Sequence, residues 1–329
     1  MDSMASFPRS RPRRLRRTPA LRAAVRETIL RPEQLVLPIF VGEGQDGPVP
    51  IEAMPGVARH TVEGAVELAR EARDAGVGGL MLFGIPLHKD AEGSGAWDDD
   101  QVVQQASRAI REGVEGITVG TDLCLCEYTD HGHCGLLDGH GHVLNDPTLE
   151  LLSRAAVSQA AAGSEVIYPS DMMDGRIGAI RDALDAAGHT DTIIVAHSGK
   201  LASSYYGPFR EAAGSTPAFG DRRSYQMDPA NGDEAIREAL QDVDEGADMI
   251  MVKPAGPALD LIRRTKDATN MPIAAYQVSG EYSMIKAGGA AGYVDESLVM
   301  LESLLAIRRA GATTIATYFA IEAARALQG

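Results

Sequence analysis

Eight apolar runs of strand length, each separated from the next by a stretch that can form a helix, constrain this chain more than any other feature. The runs start at Leu35 (LVLPIFV), Val77 (VGGLMLFGI), Gly116 (GITVGTDLCL) and Ser164 (SEVIYPSD). Four more start at Asp191 (DTIIVAHSG), Ala247 (ADMIMVKPA), Met271 (MPIAAYQVSG) and Gly311 (GATTIATYFA). They are continuous rather than alternating, which marks strands covered on both faces, and intervening helices make such strands parallel. In TVEGAVELAREARDAG, Ala65, Leu68, Ala69 and Ala72 share one helical face and Gly76 supplies the stop. A second helical pattern is DPTLELLSRAAVSQAAAG. Eight such units predict an α/β fold, a (β/α)8 or TIM barrel. The alternative, a doubly wound open sheet, lacks a GxGxxG after its first strand. No composition break marks an internal linker, so the expected organisation is an N-terminal arm over 1–31 and one catalytic barrel over 32–329.

Charge separates these two parts. The chain carries a net −15, yet residues 1–31 hold nine arginines against Asp2 and Glu27, so the arm is +7 and the body −22. Such a body repels nucleic acid, whose binding needs clustered cations. Pro8, Pro12 and Pro19 interrupt the arginine run, predicting an extended arm rather than a helix. A solvated tail, an organelle-targeting segment and an arm laid on an acidic neighbouring subunit all fit it; opposite charges favour the third. No apolar run approaches the roughly 20 residues of a membrane span. The N-terminus has no apolar signal region, and three cysteines do not make a secreted disulfide scaffold. The expectation is a soluble, cytoplasmic chain with no membrane or nucleic-acid partner.

Barrels of this kind carry their reactive groups at the C-terminal ends of strands. Those positions hold Cys124 and Cys126, Ser170 and Asp171, Lys200, Lys253 and Ser279, with Tyr318 in the eighth run. The chain has 26 arginines but five lysines, two of them in this set. Only lysine readily loses its proton when desolvated and attacks as an amine. Lys253 follows four apolar residues in MIMVKPAG, and a second cation nearby would lower its pKa further. Paired in this way, the two amines suit a carbonyl substrate; snorkelling or a structural ion pair is the bland alternative.

All three cysteines fall in CLCEYTDHGHC, at Cys124, Cys126 and Cys134. Three sulfurs without a fourth describe a catalytic zinc with an open position. A structural zinc completed by His131 or His133, or buried free thiols, are the alternatives. The long connection after the fifth run, SSYYGPFREAAGS then GDRRSYQMDP, reads as a lid or binding element that contains Arg210, Arg222, Arg223 and Gln226. Its arginines could clamp a carboxylate, with solvated surface charge the alternative, favoured for Arg223.

These stretches, in this order over nearly the whole chain, resemble the porphobilinogen synthase (5-aminolevulinate dehydratase) family, zinc-type and bacterial. The resemblance rests on RPRRLRRTPALR, CLCEYTDHGHCG, PSDMMDGR, YGPFREAAGS, GDRRSYQMDP, MIMVKPAG and YQVSGEY. It implies condensation of two 5-aminolevulinate molecules to porphobilinogen, a step of heme biosynthesis, with Schiff bases on Lys253 and Lys200 and proton transfer helped by Asp122. It further implies one substrate carboxylate on Ser279 and Tyr318, the other on Arg210, Arg222 and Gln226, and Zn2+ on Cys124, Cys126 and Cys134. Glu238 and Asp242 resemble a Mg2+-binding pattern, although an ordinary helix surface fits them as well, and the family implies a homo-octamer. HSGKLASSYYG departs from the family at Gly199 and Leu201. A Schiff-base aldolase and a non-catalytic, zinc-stabilised oligomeric barrel remain as competing readings.

Overall fold

The computed structural model describes residues 9–328. Its strands are β1 (Leu35–Gly42), β2 (Val49–Pro50), β3 (Ala58–His60), β4 (Gly79–Ile85) and β5 (Thr118–Leu123). They continue as β6 (Val166–Pro169), β7 (Ile193–Lys200), β8 (Met249–Lys253), β9 (Ile273–Gln277) and β10 (Thr314–Thr317). The helices are α1 (Pro19–Ala24), α2 (Val62–Asp74), α3 (Val102–Gly113), α4 (Asn145–Ala161) and α5 (Arg176–Ala186). After these come α6 (Gly207–Ala212), α7 (Gly232–Asp244), α8 (Leu259–Thr269), α9 (Ser279–Ala290), α10 (Glu296–Ala310) and α11 (Ala320–Gln328).

All eight apolar runs become strands of one parallel sheet in chain order: β1, then β4 through β10. The sheet closes where Leu35 and Val36 pair with Ile315 and Ala316, which makes it a (β/α)8 barrel. The expected helical face of α2 is buried through Ala65, Ala69 and Ala72, while Leu68 is only partly covered. Thr61 caps that helix by accepting from the Gly64 N–H, and Gly76, at φ +81, ends it.

One local irregularity sets the placement of two lysines. The β7–β8 register slips between Ala196 and Gly199, and beyond the slip Lys200 stands directly opposite Lys253. A bulge beside an active face re-aims the side chains that come after it.

Four details differ from expectation. The arm is not simply extended: residues 12–16 form a 3-10 turn and α1 follows, because proline suits the first helical position and Thr18 caps it. Neither piece buries a residue. Tyr318 lies just past β10 rather than in it. The lid folds in part, as α6. The short hairpin β2–β3, with β3 pairing onto the end of β1 through Phe40–Arg59 and Val41–His60, escaped the pattern reading. Strands of two and three residues, none of them buried, leave no apolar run to detect.

Candidate active site

β7 and β8 end side by side in two buried lysines. The Lys200 Nζ donates to the Ser170 carbonyl just past β6. The Lys253 Nζ lies 4.4 Å from the Tyr276 ring centre and 5.3 Å from those of Tyr206 and Phe209. Burial, and next the charge of Lys200, push the Lys253 amine down to about 8. Both causes act in the direction the sequence reading anticipated.

Asp122, near the end of β5, faces the same space. Its Oδ2 accepts from the Ser170 hydroxyl at 3.1 Å, and its Oδ1 has no partner. Burial and the neighbouring Glu127 push this carboxyl up to about 8, against the pull of Lys253 and Lys200. Ser170 therefore ties Asp122 to Lys200 through its two oxygens.

Two residues beyond Asp122 begin the sulfur groups. The Sγ atoms of Cys124, Cys126 and Cys134 lie within 4.8 Å of one another, all buried, with Cys124 and Cys126 3.3 Å apart. Burial pushes the Cys124 thiol up, whereas contacts from Cys124 and Cys126 hold Cys134 well below the ordinary thiol range. Zn–S bonds of about 2.3 Å in a tetrahedron put sulfurs about 3.8 Å apart, a spacing compatible with this trio. The donor set can hold a metal ion. The histidines do not complete it: His133 Nδ1 meets the Tyr225 hydroxyl and Nε2 the Phe219 carbonyl, each at 3.1 Å. His131 Nε2 meets the Ala91 carbonyl, and its Nδ1 accepts from the His133 N–H. That geometry speaks against the structural-zinc alternative.

The lid covers this face. Arg222 donates to the carbonyls of Gly132 and Ser215, at 2.8 and 2.5 Å, which joins the lid to the cysteine loop. Buried polar atoms without partners remain on it: Nε of Arg210, Nε of Arg222 and both amide atoms of Gln226. Such atoms are what a polar ligand would satisfy. Arg223, by contrast, is exposed. On the opposite side the Tyr276 and Tyr318 hydroxyls meet at 3.0 Å, and the Ser279 hydroxyl accepts from the Phe209 N–H at 3.0 Å.

The sequence profile of the delta-aminolevulinic acid dehydratase family matches residues 9–326. The chain belongs to that family. A delta-aminolevulinic acid dehydratase of Synechococcus elongatus is 54% identical over 322 residues, 97% of this chain and 99% of that protein. The one from Escherichia coli is 54% identical over 314 residues, 95% of this chain and 96% of its own length. The crystal structure of the Toxoplasma gondii dehydratase (porphobilinogen synthase) in complex with the reaction product porphobilinogen superposes with a TM-score of 0.94 at 42% identity. That match covers 96% of this chain and 91% of the other. Membership of a dehydratase family sets aside the aldolase and the non-catalytic barrel.

Within this dehydratase fold, several buried groups escaped the sequence reading. Glu127, directly after Cys126, is buried and pushed up to about 8 by burial and then by Cys126. His197, fully buried in β7, is held neutral by burial and by the charges of Lys253 and Lys200. Arg176, the first residue of α5, is buried against Asp171 at 3.7 Å and Asp242 at 3.3 Å. Asp242 is thus an internal ion-pair partner rather than a helix-surface charge. Glu238, half-buried one turn earlier, lines a cleft of about 440 Å³ with Asp174, Glu234 and Gln226. A carboxylate inside a cysteine run was the one available signal for Glu127; the others carried none. No helix among the described residues is long and apolar enough to cross a membrane.

Proposed function

We propose that this chain acts as porphobilinogen synthase, joining two molecules of 5-aminolevulinate in heme biosynthesis. One carbon–carbon and one carbon–nitrogen bond form, and both ketone oxygens leave as water. The observation that carries the reading is the pair of buried amines facing each other across the ends of β7 and β8. Each amine attacks one substrate ketone, releases water and holds the substrate as an imine; bond formation then returns the amine. Holding both substrates on one rim converts a bimolecular encounter into a positioned one. Lys253, the amine with the lowered pKa, takes the substrate that becomes the propionate side, and Lys200 the one that becomes the acetate side.

Asp122, whose carboxyl keeps its proton near neutrality and sits beside both lysines, moves protons between the imines and the substrate carbons. The unpartnered atoms of Arg210, Arg222 and Gln226 receive one substrate carboxylate. Ser279 and Tyr318 receive the other. Cys124, Cys126 and Cys134 would hold a zinc ion; when bound it supplies a Lewis acid for a carbonyl oxygen or lowers the pKa of a water. The lid excludes water while the ring forms.

Three further assignments belong to the same reading. Glu238 would hold Mg2+, an ion that keeps most of its waters and takes one or two carboxylates. The chain assembles as a homo-octamer through the arm over 1–31, with the catalytic barrel over 32–329. Reduced thiols suit the cytoplasm.

The test is borohydride trapping with 5-aminolevulinate, followed by peptide mapping. Adducts are expected on Lys253 and Lys200. Adducts confined to Lys89, Lys266 or Lys286 would overturn the assignment.

A further inference from the structure

The lid element α6 has six residues, too few to hold a helix unaided. It closes on itself at its C-terminal end, where Gly214 at φ +55 lets its N–H donate to Glu211 O at 3.3 Å and Ser215 N–H donate to Arg210 O at 3.0 Å. The carbonyls of 212, 214 and 215 and the second acceptor site of 211 then take donors from outside the helix. Cationic side chains from elsewhere in the fold take all four. Arg59 of β3 donates through Nε to Ala212 O at 2.6 Å and through Nη2 to Glu211 O at 2.8 Å. Lys89, in the loop after β4, donates to Gly214 O at 2.7 Å. Arg222, from the far end of the lid, takes Ser215 O. Cations at a helix C-terminus match both its unsatisfied carbonyls and its dipole.

The other side of α6 meets the reacting groups. Phe209 stands 5.0 Å from the Phe83 ring and 5.6 Å from Phe40, and its ring centre is 5.3 Å from the Lys253 Nζ. Its N–H donates to Ser279, and Arg210 is the next residue. The short helix is therefore held at one end by charges and presents Phe209 to Lys253.

We infer that Arg59 and Lys89 are positioning residues for the reaction, clasping α6 so that Phe209 stands over Lys253 and Arg210 is held beside it in the chain. This rests on the function proposed above. Each makes its hydrogen bonds to α6 and the turn after it; the charge of Lys89 also lies near Glu127 and Cys126, whereas Arg59 acts through α6. Loosening the clasp lowers the closed fraction of the lid, and substrate must then restore it. A fall of the closed fraction to about a tenth raises the apparent KM about tenfold while kcat at saturation changes little.

The experiment uses the full-length Arg59→Met/Lys89→Met enzyme and reads two quantities. Without substrate, amide hydrogen exchange over 205–218 is expected to quicken about tenfold, with β1 and β4 as protected as before. With 5-aminolevulinate, KM is expected to rise about five- to tenfold with kcat within about twofold, and Lys89→Arg alone to behave as the unaltered enzyme. Unchanged exchange over 205–218, exchange quickened throughout the barrel, or a loss of kcat at constant KM would each overturn the clasp. Should the double variant fail to fold, Arg59→Met alone, which removes two of the carbonyl bonds, carries the same readings. Exchange is independent of turnover, so an unaltered enzyme that makes no porphobilinogen would sink the proposed function and leave the clasp to be judged by exchange.

Discussion

In the proposed reaction Lys253 is the residue on which the chemistry turns, and its protonation makes a quantitative expectation. An ordinary lysine, with a pKa of about 10.4, is neutral in roughly one molecule in 2,500 at pH 7. A value of about 8 makes that roughly one in ten. Only the neutral amine attacks a ketone, so trapping of Lys253 should rise steeply from pH 6 and level off above about 9. Lys200 is the second cause of the lowering. Replacing Lys200 with Met should therefore shift the midpoint of this curve upward, read by mass spectrometry of the trapped Lys253 peptide. A midpoint that stays put, or falls, would contradict the electrostatic account. Both lysines were legible because they sit at strand ends in a lysine-poor chain, and the cysteines because of their spacing. Arg59 and Lys89 were not: each acts on a carbonyl more than 120 residues away in sequence. The orphaned amide of Gln226 was equally invisible, since its lack of a partner is a property of the folded cavity.

At the scale of elements, the junction of β6, α5 and α7 depends on one buried cation. Arg176 starts α5 and pairs with Asp171, just after β6, and with Asp242 on α7. Burial pushes Asp171 up to about 6 and also raises Asp242, although Arg176 pulls both down. A carboxyl whose folded pKa lies above its unfolded value favours folding below the unfolded value, and loses that contribution as pH rises through the folded one. Here the loss runs from about pH 4 to above 6, and Arg176 limits it. Arg176→Met leaves two buried carboxyls without a cation, which should cost about 3–5 kcal/mol at pH 8. At pH 5 the carboxyls can take up protons, so the loss measured by denaturant unfolding should be smaller. An equal or larger loss at pH 5 would show that the pair is not what joins these elements. The strands themselves were readable because a doubly covered strand must be apolar throughout. The β2–β3 hairpin and α6 were not, because they are held by contacts with β1 and by distant cations rather than by their own pattern.

The whole molecule poses a problem that its barrel does not solve alone. The arm carries +7 and exposes Leu15, Leu21, Val25 and Ile29, and neither its 3-10 turn nor α1 buries a residue. A six-residue helix has little stability of its own. Bodies that each carry −22 repel one another, and a positively charged element is able to bridge them. The arm has the charge to approach a neighbouring body and the apolar side chains to remain there. These two forces differ in salt dependence, since screening weakens the charges over a Debye length of about 10 Å at 0.1 M but leaves apolar burial intact. Sedimentation should therefore give a large assembly for the full chain, loosened but not abolished by raised salt. A chain lacking residues 1–31 should sediment as a much smaller species at every salt concentration. Unchanged sedimentation without the arm would mean that the barrels associate through their own faces despite their charge.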